Sequence, residues 1–154
     1  MADFYGWKGQ RLRLDMTNLT YEIEKLPMSY YKKWVGGRGL NSDVCYHETK
    51  AGMDPLDPAA PLCFASGPVA GSFAPLSGRT TVSALSPMTS SVMGVDIHGN
   101  GDTNMGGAFG PAMKYAGYDQ IIVKGKAAKP TWVVIDGDKI EFRDAGHLWG
   151  LGSK

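Results

Sequence analysis

The stretch RLRLDMTNLTYEIE (residues 11–24) indicates the fold class. Apolar and polar side chains alternate over residues 11–16 and again over 20–24, and Thr17-Asn18 lies between them as a turn. A period of two is typical of a half-buried strand, because successive side chains point to opposite faces of a sheet. The stretch therefore predicts two strands joined as a hairpin.

Outside this hairpin the chain alternates short strand and helix patterns without a repeated strand-helix-strand unit. Asp136-Gly137 is a strong hairpin signal between two more strand patterns. The further predicted strands are 62–66, 80–85, 120–124, 131–135 and 139–143. The predicted helices are 29–35, 41–50 and a segment that begins at 107 or 111 and ends at 116. This order predicts a β-rich α+β fold, with mostly antiparallel or mixed sheets and a few short helices, in a single domain over 1–154.

Charge and cysteine content exclude several classes of partner. The net charge is only +1, from 16 Lys and Arg against 15 Asp and Glu, which argues against nucleic acid or a membrane as the main partner. The N-terminus carries no apolar signal segment, so we predict a cytoplasmic location. Cys45 and Cys63 form no CxxC motif, so the sequence predicts two buried free thiols and no iron–sulfur or zinc motif in this chain.

Glycine is unusually frequent, with 21 residues in 154, about twice the usual ~7%. It clusters in three stretches, 36–40 (GGRGL), 67–79 (GPVAGSFAPLSGR) and 99–110 (GNGDTNMGGAFG), and the first two contain Arg38 and Arg79. Glycine bends can expose backbone N–H groups to an anion, and arginine adds a bidentate fork for phosphate. The stretches therefore predict an anion site, although a structural domain whose glycines only make turns is the alternative.

The third stretch also offers groups for a cation. Gly106-Gly107 precedes a predicted helix, where backbone N–H groups favour an anion. Asn104 and Asp102 add oxygen atoms that suit Mg²⁺ between phosphates, although the same residues are common caps of turns and helices. No nucleophile-base-acid order or carboxylate pair can be assembled. The residues alone thus predict an anion-binding domain without its own catalytic centre.

The order of the segments resembles the N-terminal domain of the aldehyde ferredoxin oxidoreductase family of tungsten enzymes. The similarity runs in the same order over nearly the whole chain, which makes it more specific than any one loop. The matching stretches are GWKGQRLRLDM (6–16), WVGGRGL (34–40), DPLDPAAPLCFASGPVAGSFAPLSGR (54–79), SPMT (86–89), NMGGAFGPAMKYAGYDQIIVKGKAAKP (104–130) and IEFRDAGHLWG (140–150).

The resemblance implies that 1–154 is a single N-terminal domain that binds a tungsten or molybdenum bis-pterin, whose phosphates are joined by Mg²⁺. By position in the motifs, Arg79 would contact the pterin. Asn104 would contact the cofactor and offer its carbonyl to Mg²⁺. Gly106, with Gly107 beside it, would let the backbone approach the pterin closely, and Arg38 would be a supporting contact.

The resemblance also implies oxidation of an aldehyde-like substrate to a carboxylic acid, with electrons passed to ferredoxin or another electron-transfer protein. The [4Fe–4S] cluster is expected only in the remainder of the enzyme or in a complementary subunit, so this chain alone is expected to be inactive. The extra loop around 92–103 departs from the family pattern. A non-catalytic module that binds pterin or another phosphorylated ligand remains the alternative.

Overall fold

The computed structural model describes residues 5–88 and 98–152. Eight strands and three helices lie in these ranges, together with a short 3-10 helix at Gly146–Leu148. In chain order they are β1 (Gln10–Asp15), β2 (Thr20–Lys25), α1 (Met28–Trp34), α2 (Arg38–Glu48), β3 (Leu62–Ser66), β4 (Thr80–Leu85), β5 (Asn100–Met105), α3 (Phe109–Tyr115), β6 (Gln120–Lys124), β7 (Thr131–Asp136) and β8 (Lys139–Asp144). The predicted α+β class is confirmed.

Six strands form one mixed sheet in the order β2-β1-β6-β3-β4-β5. The pair β1–β6 is parallel, and the other neighbouring pairs of this sheet are antiparallel. Strands β7 and β8 form a separate hairpin. The predicted hairpin is present, but its two-residue turn is Gly137-Asp138, one position later than predicted, because Asp136 pairs with Lys139; Gly137 takes a φ of +57° there.

One face of the sheet packs against α3 and the β7–β8 hairpin. The alternation in β1 buries Leu12 and Leu14 in a cluster with Met113 of α3, Tyr118 and Ile140 of β8. Arg11 and Arg13, which alternate with these leucines, pair with carboxylates of the neighbouring strand and helix. The first hairpin therefore folds as its pattern predicted.

The other face carries α2. Val44 and Cys45 of α2 pack on Cys63 of β3 and Ile122 of β6, and both cysteines are buried free thiols as predicted. Next to this cluster, the Asn41 amide nitrogen donates to the carbonyl of Cys63 at 3.2 Å and to that of Thr81 at 3.0 Å. These bonds fix the N-terminal end of α2 over β3 and β4.

Helix α2 begins at Arg38, three residues before the predicted start at 41, so part of the predicted 36–40 loop is helical. The helix can begin there because Gly37 takes a φ of +50° as the residue before it. Helix α1 ends at Trp34 and not at Val35, whose φ of +63° is not helical.

The prediction of a loop over 99–110 is wrong for its first half. Strand β5 occupies Asn100–Met105 and pairs with β4. It lies at the edge of the sheet with mostly exposed side chains, so it needs no apolar alternation that the sequence could show. Residues 92–97 of the predicted extra loop lie outside the described residues. Within the described ranges, no helix has the length and apolar character needed to cross a membrane.

Candidate anion-binding site

The three glycine-rich stretches meet at one end of the six-stranded sheet. The N–H of Gly37 donates to the carbonyl of Ser66 at 3.1 Å. A Cβ added at Gly36 would lie 2.9 Å from the Cα of Gly67, and one added at Gly78 would lie 2.9 Å from the carbonyl oxygen of Gly107. The first stretch thus packs on the second and the second on the third, which the sequence did not reveal.

A cavity of about 290 Å³ lies between the first two stretches. It is lined by Val35, Gly36, Gly37, Gly67, Val69, Ala70, Leu76, Ser77, Arg79 and Thr81. The wall is therefore mostly small or apolar, with Arg79 as the cation. Such a lining suits a flat organic ligand that ends in an anionic group.

Arg79 is exposed at this cavity. In the part of the chain that the structure describes, its guanidinium makes no salt bridge or hydrogen bond. An arginine without a carboxylate partner has an uncompensated positive charge and five N–H donors available for an incoming anion. The predicted role of Arg79 is thus compatible with its surroundings.

Arg38 has a different environment. Its guanidinium donates from Nε and Nη2 to the Asp102 carboxylate at 2.8 and 2.7 Å. Asp102, which the sequence suggested as a cation ligand, is neutralised by the same pair. Neither side chain is part of the cavity lining, although Arg38 directly follows Gly37 of that lining, and Asp102 lines a separate cavity along β4 and β5.

Asn104 is not part of the cavity lining, but its side chain is hydrogen-bonded to Thr81, which is. The hydroxyl of Thr81 donates to Oδ1 of Asn104 at 2.9 Å, and a Cβ added at Gly37 would lie 3.1 Å from that hydroxyl. The described residues contain no group of three or more His, Cys, Asp or Glu side chains able to hold a metal. A Mg²⁺ at Asn104 would therefore need further ligands such as phosphate oxygens.

Gly106 and Gly107 are exposed and face open space. A Cβ added at either would meet nothing within 4 Å, and Gly106 does not have a positive φ. Among the described residues, neither amide has a hydrogen-bond acceptor. Nothing inside the described chain thus requires glycine at 106, and the open space suits close approach by a ligand.

The glycine amides of the first stretch are not open in the same way. The N–H groups of Gly36, Gly37 and Gly39 donate to backbone carbonyls within the chain. The predicted backbone nest over 36–40 is therefore wrong, because the turn and the start of α2 use these donors. The arginines and the open amides at Gly106 and Gly107 are therefore better candidates for an anion contact than these three glycine amides.

Sequence reasoning missed three residues at the cavity. Val35 and Leu76 line the cavity and have positive φ values of 63° and 61°. No local sequence pattern predicts a positive φ at either residue. Thr81 could have been found, because the alternation over 80–85 places it on the face of β4 that α2 covers.

A larger cavity of about 430 Å³ lies elsewhere, along β1, β2 and β6. Its cations, Arg13 and Lys124, both pair with Glu48. Their charges are thus already balanced, which favours the smaller cavity at Arg79 as the anion site.

Comparison with known proteins shows similarity over nearly the whole chain. The family model described as "Aldehyde ferredoxin oxidoreductase, N-terminal domain" matches residues 11–154. The chain is 38% identical over 146 residues to the tungsten-containing aldehyde ferredoxin oxidoreductase of Pyrococcus furiosus, which covers 95% of this chain and 23% of that protein. It is 37% identical, with the same coverage, to the protein of that name from Thermococcus kodakarensis.

Two further similarities concern proteins of other names. The chain is 30% identical to the aliphatic sulfonate oxidoreductase, WOR-like subunit, of Pyrococcus furiosus, over 96% of this chain and 23% of that protein. A solved structure of the active site complex BamBC of benzoyl coenzyme A reductase, in complex with 1,5 dienoyl-CoA, superposes with a TM-score of 0.86. That match has 34% identity and covers 95% of this chain and 21% of the other.

Proposed function

Because this chain belongs to the aldehyde ferredoxin oxidoreductase family, as a form of its N-terminal domain, we propose that it supplies one wall of the cradle for a tungsten bis-pterin cofactor. The observation that carries the proposal is Arg79, an exposed arginine without a salt bridge in the described chain, beside a cavity with a mostly small and apolar wall. A phosphate group would receive a charge-assisted hydrogen bond there at little cost.

The described residues fit such a group on two counts. The cavity at Arg79 is lined by small and apolar residues that suit the flat face of a pterin. The space in front of Gly106 and Gly107 is open, and no internal contact demands glycine at 106. We assign phosphate binding to Arg79, close backbone approach to Gly106 and Gly107, and a Mg²⁺ contact to Asn104. Arg38 is a secondary phosphate contact.

The tungsten cofactor, or its molybdenum counterpart, when bound would supply two-electron oxidation of an aldehyde-like substrate to a carboxylic acid. The residues of this chain would hold and orient it and exclude water from one side. The chain spans only 23% of the length of the curated relatives it matches. We therefore place the [4Fe–4S] cluster, and electron transfer to ferredoxin or another electron-transfer protein, in the remainder of the enzyme or a complementary subunit.

Two similarities support a partner subunit. One relative is itself called a subunit, and the matched solved structure is a complex. We propose that this chain alone is inactive and that the assembled enzyme works in the cytoplasm, without nucleic acid or a membrane as partner.

The test is cofactor occupancy in the natively purified protein. Arg79→Ala should weaken cofactor binding roughly 10-fold to 100-fold, the equivalent of a charge-assisted hydrogen bond of about 1.5–3 kcal/mol. Arg79→Lys should retain part of the affinity, since lysine keeps the charge without the fork. Tungsten by elemental analysis and pterin by fluorescence after oxidation measure the result.

Arg143→Ala is the matched control, because Arg143 is an exposed arginine on β8 outside the cavity lining. If Arg79→Ala retained full tungsten and pterin, the proposal would fail and the glycine stretches would be turns only. Full cofactor binding without redox activity in any complex would favour the non-catalytic binding module.

A further inference from the structure

The cavity wall at Val35 is a strained turn. Val35 has φ 63° and ψ −59°, and the N–H of Gly36 donates to the carbonyl of Trp34 at 2.8 Å. Together these define a classic γ-turn, which is rare and strained. A β-branched residue at positive φ is a genuine conformational outlier, and such strain persists only where the surroundings enforce it.

The side chain of Val35 does not explain the strain. It is 55% exposed at the cavity, so its burial offers little compensation. Its backbone, by contrast, is bound on both sides. The N–H of Val35 donates to the carbonyl of Tyr31 at 2.7 Å, and the indole N–H of Trp7 donates to the carbonyl of Val35 at 2.6 Å.

Trp7 belongs to a segment, residues 6–9, that is tied down on both sides of the indole. The N–H groups of Lys8 and Gly9 each donate to the Asp119 carboxylate at 2.9 Å. The ammonium of Lys114, itself paired with Asp119, donates to the carbonyl of Gly6 at 2.7 Å. We call residues 6–9 the brace segment.

The brace segment also touches the second wall of the cavity. A Cβ added at Gly6 would lie 2.7 Å from the carbonyl oxygen of Pro68, which follows Gly67 of the cavity lining. The same four residues thus contact the Val35 turn through Trp7 and the 67–79 stretch through Gly6. They join two walls that are more than thirty positions apart in the chain.

We propose that the brace segment sets the shape of the cavity, and that Trp7 is a positioning residue for the cofactor, acting through the carbonyl of Val35. The inference rests on the proposed function, because the cavity is taken as the cofactor site. Trp7 lies behind the wall and needs no contact with the ligand. Its hydrogen bond opposes relaxation of the γ-turn, which would move Val35, Gly36 and Gly37 together.

The test compares Trp7→Phe with the double variant Trp7→Phe/Val35→Gly in the natively purified protein. Phenylalanine keeps an aromatic ring against Tyr31 but lacks the N–H donor. Trp7→Phe should lower tungsten and pterin affinity about fivefold, the equivalent of one lost hydrogen bond. Glycine accepts a φ of 63° without strain, so the double variant should recover most of that affinity.

A second readout does not need the cofactor. In protein from cells grown without tungstate, hydrogen–deuterium exchange of the peptide over 34–40 should be faster in Trp7→Phe than in the parent protein. Trp132→Phe, on the separate β7–β8 hairpin, is the control and should change neither readout.

Three outcomes would overturn the inference. The first is unchanged exchange over 34–40 in Trp7→Phe. The second is faster exchange with full cofactor affinity, which would show a braced turn that does not serve the site. The third is that Trp7→Phe lowers both the melting temperature and the cofactor affinity, and that adding Val35→Gly restores neither. Trp7 would then only stabilise the fold. Because exchange is measured without cofactor, it stays informative even if Arg79→Ala overturns the proposed function.

Discussion

Lys114 and Asp119 form an ion pair in which the lysine side chain is 4% exposed and the aspartate is fully buried. The pair joins the last turn of α3 to the residue before β6. Each partner also holds backbone of the brace segment, since Asp119 accepts from Lys8 and Gly9 and Lys114 donates to Gly6. The pair therefore links the core to the strained cavity wall.

Removing one partner of this pair should be strongly destabilising. In Lys114→Met the Asp119 carboxylate would stay buried without its counter-charge, at a cost of about 3–5 kcal/mol in the free energy of unfolding. Urea unfolding of the cofactor-free protein measures the loss. Lys139→Met removes an exposed lysine paired with Glu141 and should cost less than about 1 kcal/mol. Equal losses in the two variants would contradict the importance of the buried pair.

Acid should unfold the protein partly through Glu48. Burial raises the pKa of Glu48, but hydrogen bonds from Arg13 and Lys124 and their charges outweigh this effect and hold the pKa below its ordinary 4.5. A carboxylate with a lowered pKa in the folded state stabilises the fold above pH 4.5, and this stabilisation is lost as pH falls through the folded pKa.

The variant Glu48→Gln should thus be less stable than the parent protein near neutral pH, and it should lose less stability as the pH falls through 4.5 and below. Urea unfolding at a series of pH values checks this difference. If the free energy of unfolding changed with pH in the same way in both proteins, protonation of Glu48 would not contribute to acid unfolding.

Local patterns predicted the strands well and the site only in part. The alternation in β1 and the Asp136-Gly137 hairpin signal depend only on residues that are adjacent in the chain. Both could therefore be predicted from the sequence. Strand β5 could not, because an exposed edge strand depends on hydrogen bonds to β4 and not on its own side chains. The ion pair of Arg38 with Asp102 joins residues 64 positions apart, which no local pattern reveals.

The strained turn at Val35 escaped prediction for the same reason. Its conformation is enforced by Trp7, 28 positions earlier, and not by any preference of valine. The resemblance to a family pointed to Arg79, Asn104 and Gly106. It could not show that the amides of Gly36 and Gly37 are already used within the chain.

Alanine substitution at two glycines near the site should affect different properties, folding stability at Gly36 and cofactor content at Gly106. At Gly36 a Cβ would lie 2.7 Å from the Ser66 carbonyl oxygen and 2.9 Å from the Cα of Gly67. These are backbone atoms that cannot move aside easily, so Gly36→Ala should cost about 1–3 kcal/mol of folding stability.

At Gly106 the added Cβ meets nothing within 4 Å. Gly106→Ala should therefore change stability by less than about 0.5 kcal/mol. It should nevertheless lower tungsten and pterin content, because the methyl group would occupy the space assigned to the cofactor. Thermal unfolding and metal analysis of both variants separate the two effects. Full cofactor content in Gly106→Ala would show that this space serves another purpose.

Because Arg38 pairs with Asp102, we expect Arg38 to contribute less to cofactor affinity than Arg79. Arg38 is already balanced by a carboxylate, whereas Arg79 has no such partner in the described chain. Arg38→Ala should therefore reduce cofactor affinity less than Arg79→Ala. The stability cost should be less than about 1 kcal/mol, because the Arg38 side chain is 64% exposed.

Asp102→Asn gives the sharper test of the same relationship. It should leave the charge of Arg38 unbalanced next to the cavity and so raise the affinity for the anionic cofactor severalfold at low salt. The gain should shrink as salt screens the exposed guanidinium. Adding Arg38→Ala to Asp102→Asn should abolish the gain, because Asp102 acts only through that arginine. Tungsten content across a range of salt concentrations measures these steps, and a gain that survives in the double variant would mean that Asp102 itself repels the cofactor.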